Sequence, residues 1–238
     1  MQDFEKRVVM ITGAAGSLGG AAAASFQQRK AHLVLVDRVQ DRLEKIFPEL
    51  VGNQAHILAG GYDLTVEEDV RSLVQRTLDQ FRKVDVLLNI AGMYRGSTPV
   101  VDTDLDLWQT VMAVNARSVL LTSQAVAPSM IEQGYGKIIN IGARPAFKAG
   151  SGNAAYAASK SAVLRLTESL SSELKAHGIN VNAIIPGTID TQANREMMPD
   201  ADHDKWVDPE ALVEVLLFLA SDSARAVHAA ALPVLGLT

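Results

Sequence analysis

The sequence predicts an α/β fold: one domain over residues 1–238, doubly wound around a mostly parallel seven-stranded sheet with helices on both faces. Three observations carry this. Short β-branched runs alternate with longer helical patterns along the whole chain. Runs such as Leu33-Val-Leu-Val are continuously apolar, as strands covered on both faces are. A glycine-rich turn separates the first apolar run from the first helical one.

In order, strands are expected at Arg7–Thr12, Leu33–Asp37, Ala55–Ala59, Val84–Ile90, Lys137–Gly142, Asn180–Ile185 and Ala231–Leu235. Helices are expected at Leu18–Arg29, Val66–Phe81, Asp104–Gln133, Asn153–His177 and Asp208–Ser221. Asp208-Pro209-Glu210 is a sharp helix start, with Asp as N-cap and Pro at the first position. His177-Gly178 is a matching stop. No linker, low-complexity tract or internal repeat divides the chain.

Composition excludes several classes. A net charge of −5, with no cluster of Lys or Arg, argues against a nucleic-acid partner. With no cysteine there is no disulfide, thiol nucleophile or thiolate metal site, and the five histidines are scattered, so no metal is expected. No uncharged apolar run reaches membrane-spanning length and no signal peptide is evident, so a cytoplasmic protein without a membrane partner is expected.

Thr12-Gly13-Ala14-Ala15-Gly16-Ser17-Leu18-Gly19 lies between the first strand and helix. Such a turn lets backbone N–H groups approach a pyrophosphate, whose charge then sits at the positive end of the helix, the Rossmann-type arrangement. Ser17 stands where a glycine is usual, with Gly16 beside it. Asp37 closes the second strand 24 residues after Gly13, where a carboxylate accepts from ribose hydroxyls and repels a 2′-phosphate. That points to NAD; the neighbouring Arg38 offers a cation to the phosphate and leaves NADP admissible. Asp63-Leu64 and Asn89-Ile90-Ala91-Gly92 follow the third and fourth strands, at the ends where open α/β sheets bind ligands. Capping and turn formation are the alternative roles for Asp63 and Asn89.

Tyr156 and Lys160 are four apart on a predicted helix and share a face. An ammonium near a phenol favours the phenolate, so the Tyr156 pKa is expected below its usual value of about 10, suiting it to proton transfer near neutral pH.

The set Thr12-Gly-x-x-x-x-x-Gly19, Asn89-x-Ala-Gly92, Asn115, Tyr156-x-x-x-Lys160 and Pro186-Gly187-x-x-x-Thr191 resembles the short-chain dehydrogenase/reductases over essentially the whole chain. The resemblance implies an NAD(P)-dependent oxidoreductase with Tyr156 as proton donor or acceptor. Lys160 would lower the Tyr156 pKa and hold the nicotinamide ribose. Asn115 would kink its helix and anchor a water in a proton relay. Pro186, Gly187 and Ile189 would line the nicotinamide, with Thr191 near its carboxamide. Association into homodimers or homotetramers, through Asp104–Gln133 and Asn153–His177, is implied as well.

One position departs from the family. Where a serine thirteen residues before the tyrosine would hydrogen-bond the substrate carbonyl, this chain has Ala143, followed by Arg144. Losing such a donor typically costs about 2.7–4 kcal/mol of transition-state stabilisation. Quinonoid dihydropteridine reductases, within the same family, resemble this chain in having alanine there and in the loop that covers the substrate, here about residues 190–207. The implied substrate contacts are Asn194, Arg195, Met198 and Trp206; Arg195 would pair with a substrate anion, Asp200 or Asp202. Hydride transfer to a small pterin-like or conjugated molecule is the leading expectation. A reductase of 3-oxoacyl thioesters or other simple carbonyls, with water or Arg144 replacing the serine, is the alternative. A non-catalytic NAD(H)-binding protein is the second.

Overall fold

The computed structural model describes residues 4–237; residues 1–3 and 238 of the expected domain lie outside the described residues. Strands β1 (Val8–Thr12), β2 (His32–Asp37), β3 (His56–Gly60), β4 (Val86–Asn89), β5 (Gly136–Ile141), β6 (Ile179–Pro186) and β7 (Ala231–Val234) form one sheet. Their order is β3-β2-β1-β4-β5-β6-β7, and every neighbouring pair is parallel.

Side chains alternate between the two faces of a strand, and here both faces are covered. Val9 and Ile11 of β1 join one core with Leu33, Leu35 and Leu88, beneath α1 (Ser17–Gln28) and α8 (Pro209–Ala220). Val8 and Met10 join the other with Val34, Val36 and Leu87. That second core packs on α3 (Glu67–Phe81) and α5 (Ser118–Gln133). The side chain of Asp208 caps α8, accepting from the Glu210 N–H (3.1 Å), and Gly178 stops the fourth long helix with φ +73°.

Several local features matter for the site. The helix expected over Asp104–Gln133 is α4 (Leu105–Met112) and α5 joined by a wide π turn, Ala113–Arg117, centred on Asn115, where the resemblance implies a kink. A short helix, α2 (Arg42–Ile46), follows β2; after α6 (Ala154–Leu174), the expected substrate loop contains α7 (Gln192–Met197). Strand β4 ends at Asn89, one residue early, because the Ile90 and Ala91 N–H groups turn to the Thr12 hydroxyl (2.9 and 3.0 Å).

Chain progression reverses between β1 and β4: β2 and β3 lie to one side, β5 to β7 to the other. Ligands of open α/β sheets bind at the carboxyl ends beside such a reversal.

Candidate active site

Two clefts meet at this reversal. The first, about 530 Å³, is lined by Gly13, Asp37, Arg38, Asp63, Leu64, Ala91 and Gly92, all expected from sequence, and also by Arg42 and Tyr62. The second, about 620 Å³, is lined by Ala143, Arg144, Tyr156, Lys160, Pro186, Gly187, Ile189, Asn194 and Met198, again as expected. Tyr94, Ser97, Asn153, Thr188 and Met197 complete much of its wall. Gly92 and Met93 border both clefts.

The first cleft, with the glycine turn beside it, fits the adenosine and pyrophosphate part of a dinucleotide. Gly13 has φ +66°, and a Cβ there would lie 2.9 Å from Ala91 Cα; a Cβ on Gly19 would drive into the Gly13 carbonyl. Only glycine permits so tight a turn. Ala15 belongs to this turn, Ser17 opens α1, and Leu18 buries its side chain in the core. No side chain caps α1 and its first turn holds no acid, which leaves its N-terminus suited to a pyrophosphate.

Asp37 Oδ1 accepts from the Val39 N–H (2.9 Å) and lies 3.9 Å from Arg42 Nη1; Oδ2 has no hydrogen-bond partner among the described residues. Burial opposes the charge of Asp63. Hydrogen bonds from the Thr65 hydroxyl (2.7 Å) and N–H (2.9 Å), with the charge of Arg38, outweigh it and hold the carboxyl below its usual range.

Asn89, expected at the cofactor, has its amide engaged in the sheet instead. It donates to Asn140 Oδ1 (2.9 Å) and accepts from Thr122 Oγ1 (2.8 Å), tying β4 to β5 and α5.

Asn115 is fully buried. Its Oδ1 accepts from the Met93 N–H (2.8 Å), and its Nδ2 donates to the Met93 carbonyl and Ser159 Oγ, both at 3.0 Å. It therefore pins the segment between the clefts to α6. A Cβ on Gly92 would lie 3.1 Å from Asn115 Oδ1 and 3.5 Å from Lys160 Nζ, so glycine keeps this junction open.

The expected depression of the Tyr156 pKa is not what the structure contains. Burial pushes the phenol up, to about 12, and the neighbouring phenol of Tyr94 adds to the rise. Lys160 is itself buried, which lowers its pKa to about 8, and its ammonium donates to the Ile141 carbonyl (2.8 Å). Spacing placed the two groups on one helix face but could not foresee that carbonyl. The Tyr156 hydroxyl has no hydrogen-bond partner among the described residues. Tyr94, which sequence reasoning missed, packs edge-on against the Tyr156 ring, centroids 5.0 Å apart.

Three residues expected at the substrate or cofactor also make contacts within the protein. Arg195 is held by Asp190, Nε to Oδ1 at 2.6 Å and Nη2 to Oδ2 at 2.8 Å, rather than by Asp200 or Asp202, because α7 turns its side chain back toward residue 190. Trp206 packs against His203, centroids 4.4 Å apart, and does not line the cleft. The Thr191 hydroxyl caps α7, accepting from the Asn194 N–H (3.2 Å). Ala143 sits where the sequence places it, nearly buried in the cleft wall beside exposed Arg144.

Known proteins with the same architecture extend this picture. The family model described as short chain dehydrogenase matches residues 7–202. An uncharacterized oxidoreductase of Staphylococcus saprophyticus is 32% identical over 219 residues, covering 92% of each chain. A 3-oxoacyl-[acyl-carrier-protein] reductase of Thermotoga maritima is 31% identical over 228 residues, again covering 92% of each. Among solved structures, a putative NAD(P)-dependent gluconate 5-dehydrogenase from Beutenbergia cavernae, with NADP bound at low occupancy, superimposes with a TM-score of 0.88. It is 31% identical, with 98% of this chain and 97% of that one covered. Among the described residues no helix is long and apolar enough to cross a membrane. The glycine turn at the sheet reversal, the adjoining tyrosine–lysine cleft and these matches together establish that the chain belongs to the short-chain dehydrogenase family of NAD(P)-binding oxidoreductases.

Proposed function

We propose that the protein is an NAD(H)-dependent reductase in which Tyr156 gives a proton to an oxygen or ring atom of a small substrate. The observation that carries this reading is the unpartnered Tyr156 hydroxyl in a cleft sharing Gly92 and Met93 with the one that fits the adenosine and pyrophosphate part of a dinucleotide. When bound, the dinucleotide supplies the hydride. Gly13 and the α1 N-terminus would hold its pyrophosphate; Asp37, Asp63 and Leu64 its adenosine half; and Lys160, Pro186, Gly187 and Ile189 its nicotinamide half.

A phenol held near 12 by burial stays protonated throughout the neutral range, so Tyr156 is poised to give a proton rather than take one. The free Asp37 Oδ2 supports NAD, while Arg38 and Arg42 on the same wall provide charge for a 2′-phosphate.

Two substrate classes follow from different observations. Ala143 and the apolar wall of Met197 and Met198 favour a flat conjugated molecule such as a quinonoid dihydropterin. The likeness to the Thermotoga maritima reductase favours a 3-oxoacyl thioester. Self-association through α4 and α5 is part of the same reading, supported by the exposed apolar side chains Leu105, Trp108 and Leu120.

The test is NADH and NADPH consumption by purified protein, with the two acceptors compared side by side. Consumption of NADH with at least one acceptor is expected. Tight NADH binding with no consumption would instead identify a non-catalytic nucleotide-binding protein.

A further inference from the structure

Ala143 leaves the second cleft without the donor that would hold a substrate oxygen, yet the same cleft contains an amide whose N–H end has no acceptor among the described residues. Three of the other polar side chains lining it are engaged within the protein. The Lys160 ammonium is on the Ile141 carbonyl (2.8 Å) and Asn194 Nδ2 is on the Ile189 carbonyl (2.8 Å). The Tyr94 hydroxyl donates to Asn153 Oδ1 (3.1 Å).

That last bond orients Asn153. With Oδ1 committed to Tyr94, Nδ2 is the free end of the amide, and it has no acceptor among the described residues. Asn153 precedes α6, but its side chain makes no cap hydrogen bond, so helix formation does not account for it. It lies three residues before Tyr156, a spacing that stacks side chains about one turn apart on one face. Tyr94 touches both, its ring on the Tyr156 ring and its hydroxyl on Asn153.

The backbone is built around this contact. A Cβ on Gly96 would collide with both the Tyr94 hydroxyl and Asn153 Oδ1. Gly152, with φ +74°, lets its loop close on Ser97, where an added Cβ would lie 3.0 Å from Ser97 Cα, and the Thr98 N–H donates to the Gly152 carbonyl (3.2 Å). Ser97, Arg144 and Thr188 also line the cleft, but Asn153 is the residue whose side chain the Tyr94 hydroxyl holds while the Tyr94 ring packs on Tyr156.

We propose that Asn153 Nδ2, held by Tyr94, is the hydrogen-bond donor to the substrate oxygen that receives the Tyr156 proton. It replaces the hydroxyl absent at Ala143. Asn153 keeps its own protons; it binds the oxygen and stabilises the negative charge that gathers there before Tyr156 delivers its proton.

This rests on the reading of Tyr156 as proton donor to a bound oxygen, and the test separates the two. The probe is phenanthrenequinone, a flat dicarbonyl, with wild-type protein, Asn153→Ala, and Asn153→Ala combined with Ala143→Ser. In NADH-driven reduction, Asn153→Ala is expected to lower kcat about a hundredfold, the scale of losing one preorganised donor, with NADH affinity unchanged. Adding Ala143→Ser is expected to recover about tenfold or more of that loss. A merely structural asparagine would not be rescued by a hydroxyl on another segment.

The second readout is the carbonyl stretch of the quinone bound with NAD+, which requires no turnover. It should fall to lower frequency in wild type, return toward the free value in Asn153→Ala and fall again in the double variant. That pattern supports the donor even if no hydride moves, in which case only the proposed function fails. A stretch unaltered by Asn153→Ala, or a kcat kept within about threefold, overturns the donor while leaving Tyr156 untouched. A quinone that fails to bind overturns both.

Discussion

Tyr156→Phe is expected to lower turnover about a hundred- to ten-thousand-fold, the usual contribution of a positioned general acid, while leaving dinucleotide affinity unchanged. The substitution removes only a hydroxyl without a protein partner and keeps the ring that packs against Tyr94. Unfolding free energy should therefore move by no more than about 0.5 kcal/mol. Initial rates, calorimetric NADH binding and denaturant titration of the same preparation check the three parts. A Tyr156→Phe variant of near wild-type rate would remove Tyr156 from the chemistry.

The pH dependence has a definite sign. With its pKa raised to about 12, the phenol remains a donor from neutral pH upward, so the fall in reduction rate expected as pH rises through about 8 follows the Lys160 ammonium and not Tyr156. Oxidation, which needs the phenolate, should climb with pH toward about 12. A reduction rate already lost below pH 7, where Lys160 is still protonated, would mean that Tyr156 titrates far lower in the working complex.

Lys160→Met is expected to abolish activity yet cost no stability at neutral pH. Burial depresses the lysine pKa from 10.5 to about 8, a gap worth roughly 3 kcal/mol at about 1.4 kcal/mol per pH unit. Because the folded value lies below the unfolded one, the penalty is full below pH 8, where both states are protonated. It is relieved as pH rises from about 8 to 10.5, over which the unfolded state binds the extra proton. Methionine removes the penalty but leaves the Ile141 carbonyl unpaired, at about 1–3 kcal/mol. Stability at pH 7 should thus match or exceed wild type by up to about 2 kcal/mol. The alkaline rise seen in wild type should be missing. Denaturant midpoints of both proteins at pH 7, 8.5 and 10 decide it; a variant strongly destabilised at every pH would contradict it.

Most of the framework was legible because it depends on local rules. Strands covered on both faces are largely apolar, so β1, β2 and β4 announce themselves in Val, Leu and Ile, and β5 and β6 do so despite Lys137, Asn140, Asn180 and Asn182. The Asp208-Pro209 start of α8 and the glycine turn before α1 are local chemistry too. What escaped depends on residues far apart in the chain. The resemblance implied the kink at Asn115, but not the bonds to Met93 and Ser159, 22 and 44 residues away, that stabilise the wide turn at Ala113–Arg117.

Within the site, residue types and their positions were readable, but their partners were not. Asp200, Asp202 or a substrate anion was the expected partner of Arg195, and the structure pairs it with Asp190 instead. A Tyr–Lys spacing of four places two side chains on one face, but it does not say that the Ile141 carbonyl takes the ammonium or that burial raises the phenol. Tyr94 carried no motif at all. Only the closure of its loop against Gly152 brings it onto Tyr156 and Asn153.

The central claim is that a bound nicotinamide gives its hydride to a molecule in the Tyr156 cleft. The measurement that tests it most directly is the rate of NADH oxidation in rapid mixing, with ordinary NADH and with NADH dideuterated at nicotinamide C4, using the quinonoid dihydropterin and the 3-oxoacyl thioester as acceptors. The account predicts oxidation that requires the acceptor and is slowed by the deuterium. Tight binding of NADH with no oxidation by either acceptor would contradict it.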